Sequence, residues 1–176
     1  MTGEAATLWV DTSVVWGPTA TKLRTIAELA RESDVKVVVP AQVHMETYRQ
    51  ERTRHGEAFS IHVFRGIFQQ LRVELAEMKL DMSGAEAWGE LLCRRYRSEE
   101  AWQAAKLKCI KARLPADATF QAKRVPMTTD WLMALEIERR GFYVAVEDAD
   151  EEWQALRELK RAFTYEETLA WLRARI

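Results

Sequence analysis

Thr7-Leu8-Trp9-Val10-Asp11-Thr12-Ser13 is the stretch from which the fold is read. Residues that favour extended backbone end abruptly at an aspartate and two hydroxyl residues, the composition of a buried strand that stops at a polar edge. A second run, Val35-Lys36-Val37-Val38-Val39, is β-branched and is followed by Pro40, which suits the first turn of a helix. A third, Phe142 to Val146, stops at Glu147-Asp148. Between the first two, Thr21 to Ser33 carries Leu23, Ile26, Ala27 and Ala30 at helical spacing. After Pro40 a helix with Val43, Glu46 and Arg49 is closed by Gly56. Strands alternating with helices predict an α/β fold, three layers α/β/α around a central, mostly parallel sheet.

Residues 59–113 predict a wholly helical insertion, an arm packed on the same core rather than a separate domain, so residues 1–176 form a single domain. Phe59 to Met78 sets Ile61, Phe64, Phe68, Leu71, Leu75 and Met78 on one stripe. Ser83 with Glu86 reads as a capping box, and Ser98 before Glu99-Glu100 opens the next helix. Thr129 caps a helix from Asp130 to Arg140, with Gly141 just past its end. Trp153 to Lys160 is a short helix, and Thr164 with Glu167 caps the terminal one.

With 48% hydrophobic and 30% charged residues, 176 residues can bury a core without staples and show no signature of disorder. No window approaches the roughly 18 apolar residues of a membrane span. Met1 to Thr7 lacks a basic start and runs into a strand, so no export signal is expected. Cys93 and Cys109 lie far apart in helical contexts and read as buried free thiols. A cytoplasmic location is the expectation. Balanced charge, 26 Lys+Arg against 27 Asp+Glu, does not announce a nucleic-acid binder, although a carboxylate pocket with basic surroundings gives the same total. Arg49 to Arg54, Arg94 to Arg97 and Lys123-Arg124 are basic stretches that read as solvated helix faces or as phosphate guides.

In an open α/β sheet, ligands bind beyond the carboxyl ends of the strands, where strand order reverses. Asp11 and Asp148 each follow a strand and project from one sheet edge. Glu46 lies two turns into the helix after the second strand. Asp130 shares a helix face with Met133, Ala134 and Ile137, the side that meets the sheet. Singly, each acid has a bland role: Asp11 as a turn cap, Asp130 as a first-turn helix acid, Glu46 as a solvated residue, Asp148 as part of the acidic run to Glu152. Together they converge where one pocket is expected, and clustered carboxylates stay ionised only around a cation. Oxygen-only ligation selects Mg²⁺ or Mn²⁺ over zinc. Two such ions about 4 Å apart orient a water and stabilise both oxygens of an in-line phosphoryl displacement. Thr12 and Ser13 read either as hydroxyls that orient Asp11 or as residues that finish the turn.

Leu8-Trp9-Val10-Asp11-Thr12-Ser13-Val14 resembles the opening strand of PIN-domain ribonucleases, including the VapC-type toxins. Val39-Pro40-Ala41-Gln42-Val43-His44-Met45-Glu46 is similar to their second acidic motif, and Thr129-Asp130-Trp131-Leu132-Met133-Ala134 with Gly141 to Asp148 to the third motif and the strand leading to the fourth. The resemblance covers about residues 7–50 and 125–155. It implies a metal-dependent endoribonuclease with Asp11, Glu46, Asp130 and Asp148 as metal ligands and Thr129 beside them, an RNA substrate, an antitoxin-like partner protein and a homodimer. Two departures stand out. Val146 occupies the place of the usual Thr or Ser before the fourth acid, and the following aromatic is displaced to Trp153, which brings Asp150 in as an alternative fourth acid.

Rival readings fare worse. A dehalogenase-type phosphatase wants a second Asp at position 13, which is Ser, and no GxxxxGK[ST] or GxGxxG string occurs. The competing reading from another class is a catalytically inactive PIN-like module that binds nucleic acid or protein.

Overall fold

The computed structural model describes residues 5–15, 20–77, 86, 89–90, 93–94, 97–101, 103–104 and 129–176. The chain divides into two compact units, Met1–Met78 with Ile137–Ile176, and Lys79–Glu136. The capping box at Ser83, Cys109 and the Lys123-Arg124 pair lie outside the described residues.

The first unit is built on a five-stranded sheet in the order β3-β2-β1-β4-β5. Its strands are β1 (Ala6–Val10), β2 (Val35–Pro40), β3 (Glu74–Ala76), β4 (Tyr143–Ala145) and β5 (Ala162–Phe163). Every neighbouring pair is parallel; Leu8 stands opposite Val37 on one side and Tyr143 on the other. Leu8, Trp9, Val10 and Val37 to Val39 are all buried, so the central strands are covered on both faces. The described helices are α1 (Thr12–Val15), α2 (Thr21–Glu32), α3 (Ala41–His55), α4 (Ile61–Leu71), α5 (Thr129–Arg140), α6 (Glu151–Glu158) and α7 (Tyr165–Arg173). This is the expected α/β fold around a parallel sheet.

Local chemistry accounts for most boundaries. Helix α2 buries Leu23, Ile26, Ala27 and Ala30, the predicted stripe, and packs on β2 and α7. Gly56, at φ 53°, ends α3. Gly141, at φ 71°, ends α5, and the Phe142 N–H closes back on the Ile137 carbonyl at 3.0 Å. Thr164 and Glu167 form the predicted reciprocal capping box of α7, and Ser98 accepts the Ala101 N–H at 3.2 Å as a helix cap does.

The insertion departs from expectation. Residues 59–113 are not wholly helical: α4 stops at Leu71, and Glu74–Ala76 forms β3, paired with Val38 to Pro40. The stretch to Met78 therefore belongs to the sheet-bearing unit. Helix α4 ends because Arg72 takes the left-handed conformation, φ 54° and ψ 34°, a stop that glycine would have advertised. Leu75, placed by its spacing on the buried helix stripe, is 48% exposed on this edge strand. Cys93 lies on a helical stretch of the second unit, as expected, but is exposed rather than buried.

Candidate active site

Strand pairing carries the first acid into place. The Asp11 N–H donates to the Ala145 carbonyl at 2.9 Å, so the β1–β4 ladder runs one residue past β1. The chain then coils: the Asp11 carbonyl accepts from Val14 at 3.0 Å and Val15 at 3.1 Å, opening α1. Asp11 is the N-cap of that turn, and its Oδ2 accepts the Ser13 N–H at 2.9 Å and the Ser13 hydroxyl at 2.6 Å. Only 5% of Asp11 is exposed, so these charge-assisted bonds hold an otherwise costly buried carboxylate. The Ser13 hydroxyl in turn accepts the Glu147 N–H at 3.1 Å. One side chain thus ties the end of β1 to the end of β4. With β2 and β3 on one side of β1 and β4 and β5 on the other, this tie spans the point where strand order reverses.

The second acid is held by the adjacent hydroxyl. Thr12 Oγ1 donates to Glu46 Oε2 at 2.7 Å, linking α1 to the second turn of α3. Consecutive residues therefore orient two different acids, Thr12 holding Glu46 and Ser13 holding Asp11.

Beyond β4 the backbone is pinned from α6. Arg157 Nη2 donates to the Val146 carbonyl at 3.3 Å and to the Asp148 carbonyl at 2.9 Å. Asp148 is half-buried, and Asp150 occupies the N-cap position of α6 without a side-chain cap bond. Asp130 is half-buried in the first turn of α5, in the second unit, whereas Asp11, Glu46 and Asp148 belong to the first. Thr129 starts the described part of α5.

Three residues at this edge escaped the sequence reading. Glu147 passed as one member of an acidic run, yet its backbone bonds Ser13 and its carboxylate pairs with Lys22. Lys22 itself lies 5.0 Å from the centroid of the Tyr165 ring. A cation in the first turn of a helix opposes the macrodipole, and that misfit was the available signal. Arg157 gave none, because it acts on backbone carbonyls. Away from these three, Glu152, the last of that acidic run and placed outside the site, is 5% exposed.

The chemistry of the donors suits a hard divalent cation, since Asp11 and Glu46 offer only oxygen and each is oriented by a neighbouring hydroxyl. Among the described residues no three His, Cys, Asp or Glu side chains form a ready-made metal group. Asp11 Oδ1 and the Glu46 carboxylate are the atoms that would hold an ion here, with Asp148 three residues past the end of β4. No helix among the described residues is long and apolar enough to cross a membrane. No family model and no curated protein matches the chain.

Proposed function

We propose that the protein is a divalent-metal-dependent endoribonuclease whose site is organised by Asp11 and Glu46, with Asp148 as a further ligand. The observation that carries this reading is the hydroxyl pair Thr12–Ser13, which orients two acids beside the switch point of a parallel sheet. A bound Mg²⁺ or Mn²⁺ supplies Lewis acidity and an activated water for phosphodiester hydrolysis. The chain's own part is positional. Ser13 fixes Asp11 Oδ2 and leaves Oδ1 as the donor, Thr12 fixes Glu46, and Arg157 holds the β4 exit. Lower mobility of these groups means less reorganisation as charge develops on the scissile phosphate.

The test is cleavage of a labelled single-stranded RNA with Mn²⁺, with EDTA, and by Asp11→Asn. Metal-dependent cutting lost in the variant supports the reading. No cutting, with no melting shift on adding Mn²⁺, rejects it.

A cavity of about 320 Å³ among α1 to α4 favours a second reading, a protein-interaction module. Val15, Phe59, Phe64, Ile67 and Phe68 line it, and Val63 on its wall is 67% exposed. We propose a second copy of the chain as the partner on this face, since apolar surface of this kind marks interfaces. An antitoxin-like protein is the competing occupant. Light scattering of the purified chain alone decides between them: a dimer that Val63→Glu converts to monomer supports self-association, and a monomer at micromolar concentration rejects it.

A further inference from the structure

Resting on the nuclease reading, we infer that Lys22 is a phosphate-binding residue of this site, held in reserve by Glu147 and handed to the RNA backbone when substrate arrives. Lys22 is in the first turn of α2, where no acidic residue balances the helix dipole and no side chain caps the N-terminus. Electrostatics of the helix alone disfavours a lysine there. Its ammonium instead pairs with the Glu147 carboxylate and sits over the Tyr165 ring, 5.0 Å from the centroid. Glu147 is the residue whose N–H bonds Ser13, and Ser13 holds Asp11. Lys22 is thereby three contacts from the buried acid, through Glu147 and Ser13.

The pair is built to exchange. Its side chains are 41% and 34% exposed, so water screens the attraction and the bond is weak. A phosphodiester brings an equivalent anionic oxygen to the same ammonium, and its arrival releases the Glu147 carboxylate. Tyr165 keeps the ammonium in position during the exchange. In the free protein the same pair lowers the net negative charge at the edge that an anionic strand must approach.

Binding of fluorescent single-stranded RNA in EDTA, measured by anisotropy across salt concentrations, separates this role from cleavage. Lys22→Ala is expected to weaken binding about tenfold and to reduce the slope of log K against log salt by about 0.7, one single-strand phosphate contact. Lys22→Arg keeps both values. Glu147→Gln is expected to tighten binding about threefold by freeing the lysine, and to do nothing in the Lys22→Ala background. An unchanged affinity and slope in Lys22→Ala, or weaker binding by Glu147→Gln, overturns the proposal. If the wild-type chain cuts RNA with Mn²⁺ while Lys22→Ala binds as wild type, only this role of Lys22 falls. If the wild-type chain neither binds nor cuts RNA, the nuclease reading falls with it.

Discussion

The Ser13 hydroxyl accepts the Glu147 N–H at 3.1 Å across 134 residues of chain, while donating to Asp11 at 2.6 Å. Ser13→Ala therefore orphans a backbone donor and weakens the support of a buried carboxylate at once. A loss of about 1–3 kcal/mol is expected, seen as a lower urea midpoint at unchanged m-value. Cleavage should fall further than folding explains, and Ser13→Thr should recover most of both. Wild-type stability in Ser13→Ala would show that water replaces the hydroxyl without penalty.

Thr12 should couple to Glu46 and not to Asp11. Thr12→Val keeps the shape and removes the donor, with an expected stability cost of about 1 kcal/mol for this half-buried pair. Glu46→Gln in the Thr12→Val background should add less than its separate effect, a coupling of about 0.5 kcal/mol or more in a double-mutant cycle. Glu28→Gln, on an exposed position of α2, serves as the neutral control. Strict additivity of Thr12→Val and Glu46→Gln argues against the contact.

Acid should loosen the α3–α4 seam through His44. Its ring packs 5.1 Å from Phe64 and 5.3 Å from Phe68, and burial, helped by the nearby Arg65 charge, lowers its pKa below 6.5. The folded state then prefers the neutral ring. Its contribution is fully present above pH 6.5 and is lost as pH falls through the lowered value, because the unfolded chain takes up the proton first. Urea midpoints should drop between pH 7.5 and pH 5.5, and His44→Gln should flatten that part of the profile. Glu167 acts at lower pH. Thr164 N–H donates to its carboxylate at 2.7 Å and lowers its pKa below 4.5, so the α7 cap weakens as pH falls under that value. An identical pH profile in His44→Gln contradicts the first assignment.

Arg72→Gly should stabilise the protein. Arg72 holds φ 54° at the C-terminus of α4, a region that costs a side-chain-bearing residue about 1 kcal/mol. Glycine relieves that strain but adds freedom to the unfolded chain, which returns part of the gain. A melting temperature a few degrees higher is expected, and a lower one means that Arg72 makes contacts worth more than its strain.

Three strands and the helix stripes were legible because their residues repeat a preference: Leu8 to Val10, Val35 to Val39 and Tyr143 to Val146 are apolar or β-branched, and α2 buries the four residues its spacing names. β3 and β5 were not. Three and two residues carry no periodicity, and Leu75 falls in step with the preceding helix. Asp11 was legible as an acid that ends a strand. That Thr12 serves Glu46 while Ser13 serves Asp11 was not, since α1 rotates consecutive side chains onto different partners. Glu147 was hidden for another reason: its decisive bond is made by a backbone N–H, which every residue but proline possesses.

The order of the strands has a consequence for synthesis. β1, β2 and β3 are joined by helical crossovers and pair without any residue beyond Ala76, so that this part of the sheet can form before β4 is made. The seam between β1 and β4 closes only after the intervening unit has been made, at the loop-closure cost of a very long excursion. Asp11 lies on that seam. A growing chain carries the first acid from β1, yet gains the backbone that locks Ser13 against it only once Glu147 has been made.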